Sequence, residues 1–297
     1  MLSKEEIGQW FMDLQDRICS GLESEDGIGK FREDAWQRES GGGGRTRVLC
    51  DGKVFEKGGV NFSAVYGPTP PAILKALDLS PAEFYATGVS IVIHPRSPRV
   101  PIIHMNVRYF EMSNGTWWFG GGIDLTPHYI IDEDARYFHR ELKSTCDLHH
   151  SDFYKEFRQW ADDYFYMPHR KETRGIGGIF FDRLQSFKGL KKDELFGFVK
   201  AVGETFLPVY RTLVSRHKHE TWTEQQQLWQ RLRRGRYVEF NLVYDKGTKF
   251  GLDTEGRTES ILMSLPQTAS WLYDYHPQAG SEEESTLLKL KKGMDWI

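Results

Sequence analysis

Residues 88–125, GVSIVIHPRSPRVPIIHMNVRYFEMSNGTWWFGGGIDL, decide the fold. Three apolar runs, 88–95, 101–112 and 116–125, are joined by RSPR and SNG, links short and turn-rich enough to predict an antiparallel meander. Side chains alternate across a strand, so residues two apart share a face. In the second run this groups His104, Asn106 and Arg108 against Ile103, Met105, Val107 and Tyr109. The first run groups Ser90 with His94 against Val89, Ile91 and Ile93, and the third groups Trp118, Gly120, Gly122 and Asp124. If pairing joins even positions to even positions, one sheet face carries Ser90, His94, His104, Asn106, Arg108 and Asp124, with Gly120 and Gly122 as bare floor beside the aspartate. Burying that set costs free energy unless the groups pair or serve a polar ligand, so the expectation is a pocket. A glycine floor admits something flat, an arginine grips a carboxylate with two prongs, and an aspartate accepts from N–H groups. The suggested ligand is a planar or saucer-shaped ring with nitrogens inside and acids outside.

Outward from the meander, residues 132–143, 152–166 and 191–215 have helical composition and apolar spacing, and Ile7, Trp10, Phe11, Leu14 and Ile18 mark the apolar face of a helix within 1–20. Residues 21–60 read as an acidic and then glycine-rich loop region, with Gly41 to Gly44 as a flexible connector or, given Arg45, Arg47, Lys53 and Lys57 nearby, a lid. Residues 236–266, RYVEFNLVYDKGTKFGLDTEGRTESILMSLP, read as a return to strands with DKGT as a hairpin turn. No internal repeat or interdomain linker interrupts the chain. The order of strands, helices, strands and helix predicts one α+β domain with a large antiparallel sheet carrying helices. A hydrophobic fraction of 39% over 297 residues suffices for its core.

Composition removes several classes of function. A net charge of −3 gives no long-range pull on nucleic acid or an anionic membrane, so RLRRGRY at 231–237 reads as a solvated helix end and strand entry. HRKETRGIGG at 169–178 lacks the GxxxxGK[ST] spacing of a phosphate loop. Cys19, Cys50 and Cys146 show no CxxC pattern, which argues for reduced thiols rather than a disulfide framework or a thiolate zinc site. No run approaches the roughly 18 apolar residues that span a bilayer. The first residues lack the character of a signal peptide or an organelle presequence, and a cytoplasmic location is expected.

Several long motifs carry a resemblance: GKVFEKGGVNFS (52–63), VSIVIHPRSPRVPIIHMNVRYFE (89–111), WWFGGGIDLTPHY (117–129), DDYFYMPHRKETRGIGGIFFD (162–182), RRGRYVEFNLVYDKGT (233–248) and FGLDTEGRTESILMSLP (250–266). From near residue 5 to the terminal MDWI the chain resembles the oxygen-dependent coproporphyrinogen III oxidases. The resemblance implies a large antiparallel sheet flanked by helices on both faces, in a homodimer whose contacts fall around 237–272. It implies oxidative decarboxylation of two propionates of coproporphyrinogen III to vinyl groups, giving protoporphyrinogen IX, with O2 as oxidant and no organic cofactor. Ser90, Asn106, Val107, Arg108, Glu255, Gly256 and Arg257 would contact substrate, with Arg108 or Arg257 gripping a propionate. His104 would be the proton donor and Asp124 the anchor for the pyrrole N–H groups. Glu255 stands where many relatives carry glycine or proline, which leaves a backbone contact there. Some relatives are described as manganese-dependent, through ligands matching His94, His104, His139 and His169; the last two lie in helical or loop contexts with no ligand-like carboxylate spacing, and a metal-free enzyme is expected. Two alternatives stay open. One is a tetrapyrrole carrier without chemistry, and the other is an iron oxygenase using His94, His104 and Asp124.

Overall fold

The computed structural model describes every residue except Met1, Ala72, Ile73, Ala76, Leu77, Leu79, Thr254 and Glu255. Its centre is a sheet of seven antiparallel strands: β1 (Arg32–Gln37), β2 (Gly42–Cys50), β3 (Phe55–Pro68), β4 (Glu83–Pro95), β5 (Ile102–Met112), β6 (Trp117–Thr126) and, past a two-stranded ribbon of β7 (Tyr166–Met167) and β8 (Glu172–Thr173), β9 (Gly178–Leu184). The strands lie in the order β1-β2-β3-β4-β5-β6-β9, so β1 and β9 are its edges. The meander is β4, β5 and β6, and its register joins even to even: Ser90 opposes Asn106, Gly88 opposes Arg108, and His104 opposes Asp124. A single row, Asp34, Thr46, Asn61, Ser90, Asn106, Gly122 and Phe180, crosses all seven strands.

The odd face is apolar and covered along the central strands. Val89, Ile91, Ile103, Met105 and Val107 are buried beneath α1 (Lys4–Asp26), α2 (Asp132–Asp147), α3 (Phe153–Tyr164) and α4 (Lys192–His217). Helix α1 begins at a capping box on Ser3 and Glu6 and buries Ile7, Phe11, Leu14, Ile18 and Leu22 at helical spacing. Each such side chain contributes roughly 1.5–3 kcal/mol. The buried Gln15 of α1 donates to the carbonyls of Arg45 and Val60, both at 2.7 Å, which ties the helix to β2 and β3. The three central helices begin and end within four residues of their predicted bounds, the usual uncertainty of helix ends.

Two expectations fail. Residues 21–60 are not a loop region: α1 runs to Asp26, and β1, β2 and the start of β3 follow. Gly42 to Gly44 pair within β2, where a Cβ at Gly44 would run into the Phe62 carbonyl and the Trp36 ring. The missing side chains serve close packing instead of chain flexibility. Likewise the described residues of 236–266 form no strand. A capping box at Thr223 and Gln226 starts α5 (Glu224–Glu239), which passes into a π-helical turn (Phe240–Tyr244), α6 (Lys246–Asp253) and α7 (Thr258–Leu262). Asp245 accepts from the Thr248 amide at 2.7 Å, so DKGT opens a helix and makes no hairpin. These elements, with α8 (Glu282–Lys289) further on, complete a single domain with helices on both sides of the sheet.

Candidate active site

The even face carries the polar groups, and its two ends are covered by different segments. Over β2 to β4, the Ser260 carbonyl accepts from Asn61 Nδ2 at 2.6 Å, the Leu265 carbonyl accepts from Lys57 Nζ at 2.7 Å, and the Ser264 carbonyl lies 2.8 Å from His94 Nε2. Over β6 and β9 stand Tyr164, Phe165, Phe180 and Phe240, a second apolar cluster. Between the two covers, Ser90, His104, Asn106 and Arg108 remain partly exposed. This trough is the candidate site.

At one side of it sits a buried ionic cluster. Asp124 is 1% exposed; its Oδ1 lies 2.8 Å from His104 Nδ1, and Arg174 Nη2 donates to both carboxylate oxygens at 2.6 and 2.8 Å. The Arg174 guanidinium is enclosed by the rings of Phe165, Tyr237 and Phe240, with centroids at 4.3, 4.9 and 4.7 Å. Burial alone would raise the Asp124 pKa, but the charge of Arg174 and the bonds from His104 and Arg174 outweigh it and hold the carboxyl below its ordinary value. With Nδ1 committed to Asp124, His104 keeps Nε2 without a partner among the described residues, on a side chain 21% exposed. Both oxygens of Asp124 are thus engaged by Arg174, and Oδ1 also by His104.

Arg108 reaches from β5 across β6 to Asp182 of β9 at 2.8 Å and donates to Asn106 Oδ1 at 3.2 Å. That crossing needs Gly120. A Cβ there would stand 2.6 Å from Arg108 Nε and 2.8 Å from Asp182 Oδ1. A Cβ on Gly121 would stand 2.7 Å from the Asn106 carbonyl oxygen, and one on Gly122 2.7 Å from that of Ile179 with Phe180 beside it. The expected bare floor is therefore occupied: two glycines admit neighbouring backbone, and the third admits an ion pair. Arg257 precedes α7 and pairs with Asp34 of β1 and Ser260 Oγ. The Gly256 amide donates to the Gly251 carbonyl at 2.7 Å, and Glu255 lies outside the described residues. Val107 is fully buried in the core on the odd face, which leaves only its backbone on offer to a ligand.

The four histidines of the manganese set are not brought together. His94 is buried against the Ser264 carbonyl and the Tyr237 ring, and burial, then Arg234, pulls its pKa down to about 3. His139 lies in the main core between Tyr154 Oη and the Ile176 carbonyl, both at 2.9 Å, with its pKa pulled by burial to about 4. His169 is at the surface, between Tyr244 and Glu239. Among the described residues no three His, Cys, Asp or Glu side chains are grouped to hold a metal ion, and that includes His94, His104 and Asp124.

Arg174 and Asp182 were missed by sequence reasoning. Arg174 lies between the short β8 and β9, where no periodicity assigns a face, and Asp182 lies on an edge strand whose neighbour is remote in sequence. The available signal was energetic: a carboxylate on a buried strand demands a cation.

Such a sheet, with one face largely apolar and the other holding an arginine and a histidine set on a buried carboxylate, defines an α+β protein with a charged, partly exposed site on one sheet face. The chain belongs to the coproporphyrinogen III oxidase family, whose model matches residues 6–296. It is thus an oxidoreductase of tetrapyrrole biosynthesis, in a family that acts on coproporphyrinogen III. None of the described helices is long and apolar enough to cross a membrane.

Proposed function

We propose that the protein performs the oxygen-dependent decarboxylation of two propionates of coproporphyrinogen III, giving protoporphyrinogen IX, without an organic cofactor and without a bound metal. The observation that carries this reading is the His104–Asp124 pair, 2.8 Å apart, on the same strand face as Arg108. For each propionate the balance is R–CH2–CH2–COOH + O2 → R–CH=CH2 + CO2 + H2O2. Arg108 and Arg257 hold carboxylates, while Ser90 and Asn106 line the ring. His104, oriented by Asp124, takes the pyrrole N–H proton on Nε2, and the electron-rich pyrrole adds O2 to form a ring peroxide. The ring peroxide takes a proton from the propionate β-carbon, and the C–H pair moves toward the ring and expels hydroperoxide. The bond to the carboxylate then breaks, its electron pair becomes the vinyl double bond as CO2 leaves, His104 returns its proton to the pyrrole nitrogen, and a proton from solvent, the one the propionic acid gave up on ionising, completes H2O2. The protein is proposed to work as a cytoplasmic homodimer, without nucleic acid and without membrane insertion.

The test is turnover of coproporphyrinogen III by chelator-treated protein with and without O2, following tripropionate and protoporphyrin products by chromatography. Product that needs O2 and no added metal supports the reading. Product only after manganese or iron is restored removes its metal-free part, and tight binding without product leaves a carrier.

A further inference from the structure

Arg108 and Arg257 both end on carboxylates of the sheet's edge strands: Asp182 on β9 at 2.8 Å and Asp34 on β1. Arg108 starts from β5, keeps a bond to Asn106 Oδ1 at 3.2 Å, and passes over Gly120 of β6 to reach Asp182. Neighbouring strands are about 4.8 Å apart, so the two guanidinium heads, over β6 and β1, stand on the order of 20 Å apart. Both heads are held by carboxylates of the edge strands, and the centre of the face is left partly exposed.

The ion pairs of this face fall into two grades. Arg108 and Asp182 have side chains 39% and 36% exposed, and Arg257 and Asp34 have 33% and 45%. Arg174 and Asp124 are 2% and 1% exposed. Water and salt screen the first two pairs, so an incoming carboxylate displaces their aspartates at little cost, whereas opening the third strands a buried charge.

We propose that Asp182 and Asp34 are stand-ins for ligand carboxylates: each holds an arginine in the absence of ligand, and a polycarboxylate ligand takes over both arginines by exchanging one carboxylate for another. The inference rests on the tetrapyrrole reading of the site and adds to it a means of discrimination. Charge is conserved in each exchange, and no proton moves. A ligand with acids on both sides releases both arms, a ligand with one acid releases one, and an uncharged ester meets arginines that stay with their aspartates. Asp182 and Asp34 are in this sense positioning residues that set the number and spacing of acids the site accepts.

The experiment titrates the wild type, Asp182→Asn and Asp34→Asn with coproporphyrin III, read by quenching of tryptophan fluorescence, beside steady-state turnover of coproporphyrinogen III. Each substitution removes a competitor, and Kd and KM are expected to fall roughly two- to fivefold, the range set by a half-exposed ion pair. The gain shrinks with added salt, kcat moves less than KM, and the tetramethyl ester of coproporphyrin III binds no better to either variant. A purely structural role for the aspartates would raise both constants by loosening the arginines. Unchanged or raised Kd and KM overturn the inference, and if one variant misfolds the other decides. A wild type that neither binds coproporphyrin III nor converts coproporphyrinogen III removes the tetrapyrrole reading and this inference with it, whereas wild-type binding without a gain in either variant removes the inference alone.

Discussion

At the scale of single residues, the Arg174–Asp124 pair divides stability from chemistry. Replacing Arg174 by Met leaves a carboxylate buried without its cation, which costs about 3–5 kcal/mol and is measured as a lower midpoint in denaturant unfolding. Asp124→Asn keeps the volume but loses the charge that orients His104, and kcat is expected to fall by roughly 10²-fold or more while the protein still folds; near-normal turnover would remove the pair from the mechanism. The Asp124 pKa is lower in the folded than in the unfolded chain. Its contribution is therefore fully present above the unfolded value, about 3.9, and is lost as pH falls through the folded one. His94 and His139 act in the same direction: their folded values, about 3 and about 4, lie below the unfolded value, so protonating them on acidification also favours unfolding.

At the scale of elements, α2 and α4 are joined by a clasp that works in the opposite sense. His217 near the end of α4 bonds Asp134 of α2 through Nε2 at 2.6 Å and Glu220 through Nδ1. The bond to Asp134, over the opposing cost of burial, raises its pKa. This stability is complete below the unfolded value near 6.5 and is lost as pH rises through the folded one. Thermal midpoints measured at pH 6 and pH 9 are expected to drop less in His217→Gln than in the wild type. The elements also show where sequence reading succeeds. The β4–β6 meander was legible because strict alternation and short links leave one register that buries Ile91, Ile103 and Met105 together. Residues 42–44 were misread because a glycine run reports missing side chains without saying whether entropy or a neighbouring Trp36 needs the space. Residues 236–244 misled because β-branched and aromatic residues favour strands in isolation, whereas here Tyr237 and Phe240 close over Arg174 from a helix. Gathering the even face needed only local pattern, but Arg174 and Asp182 arrive from 50 and 74 residues away in the chain, beyond any local pattern.

At the scale of the whole molecule, the π-helical turn and the segment after α7 expose Leu242, Val243, Trp271 and Leu272, all within the region expected to form the dimer. The expected mass in solution, by light scattering, is twice the 34.5 kDa chain. Leu242→Asp combined with Val243→Asp is expected to return a monomer, since each charge would face an apolar partner.

The row that crosses the sheet has a consequence for how the protein is made. Its groups come from residue 34 at one edge and residue 180 at the other, and Arg257, which pairs with Asp34, follows all seven of its strands in the chain. A chain ending just before residue 257 carries the sequence of every strand but lacks the cation that answers Asp34. In the proposed site such a chain is short of one of its two arginines, and weaker binding of coproporphyrin III than to the full chain is expected.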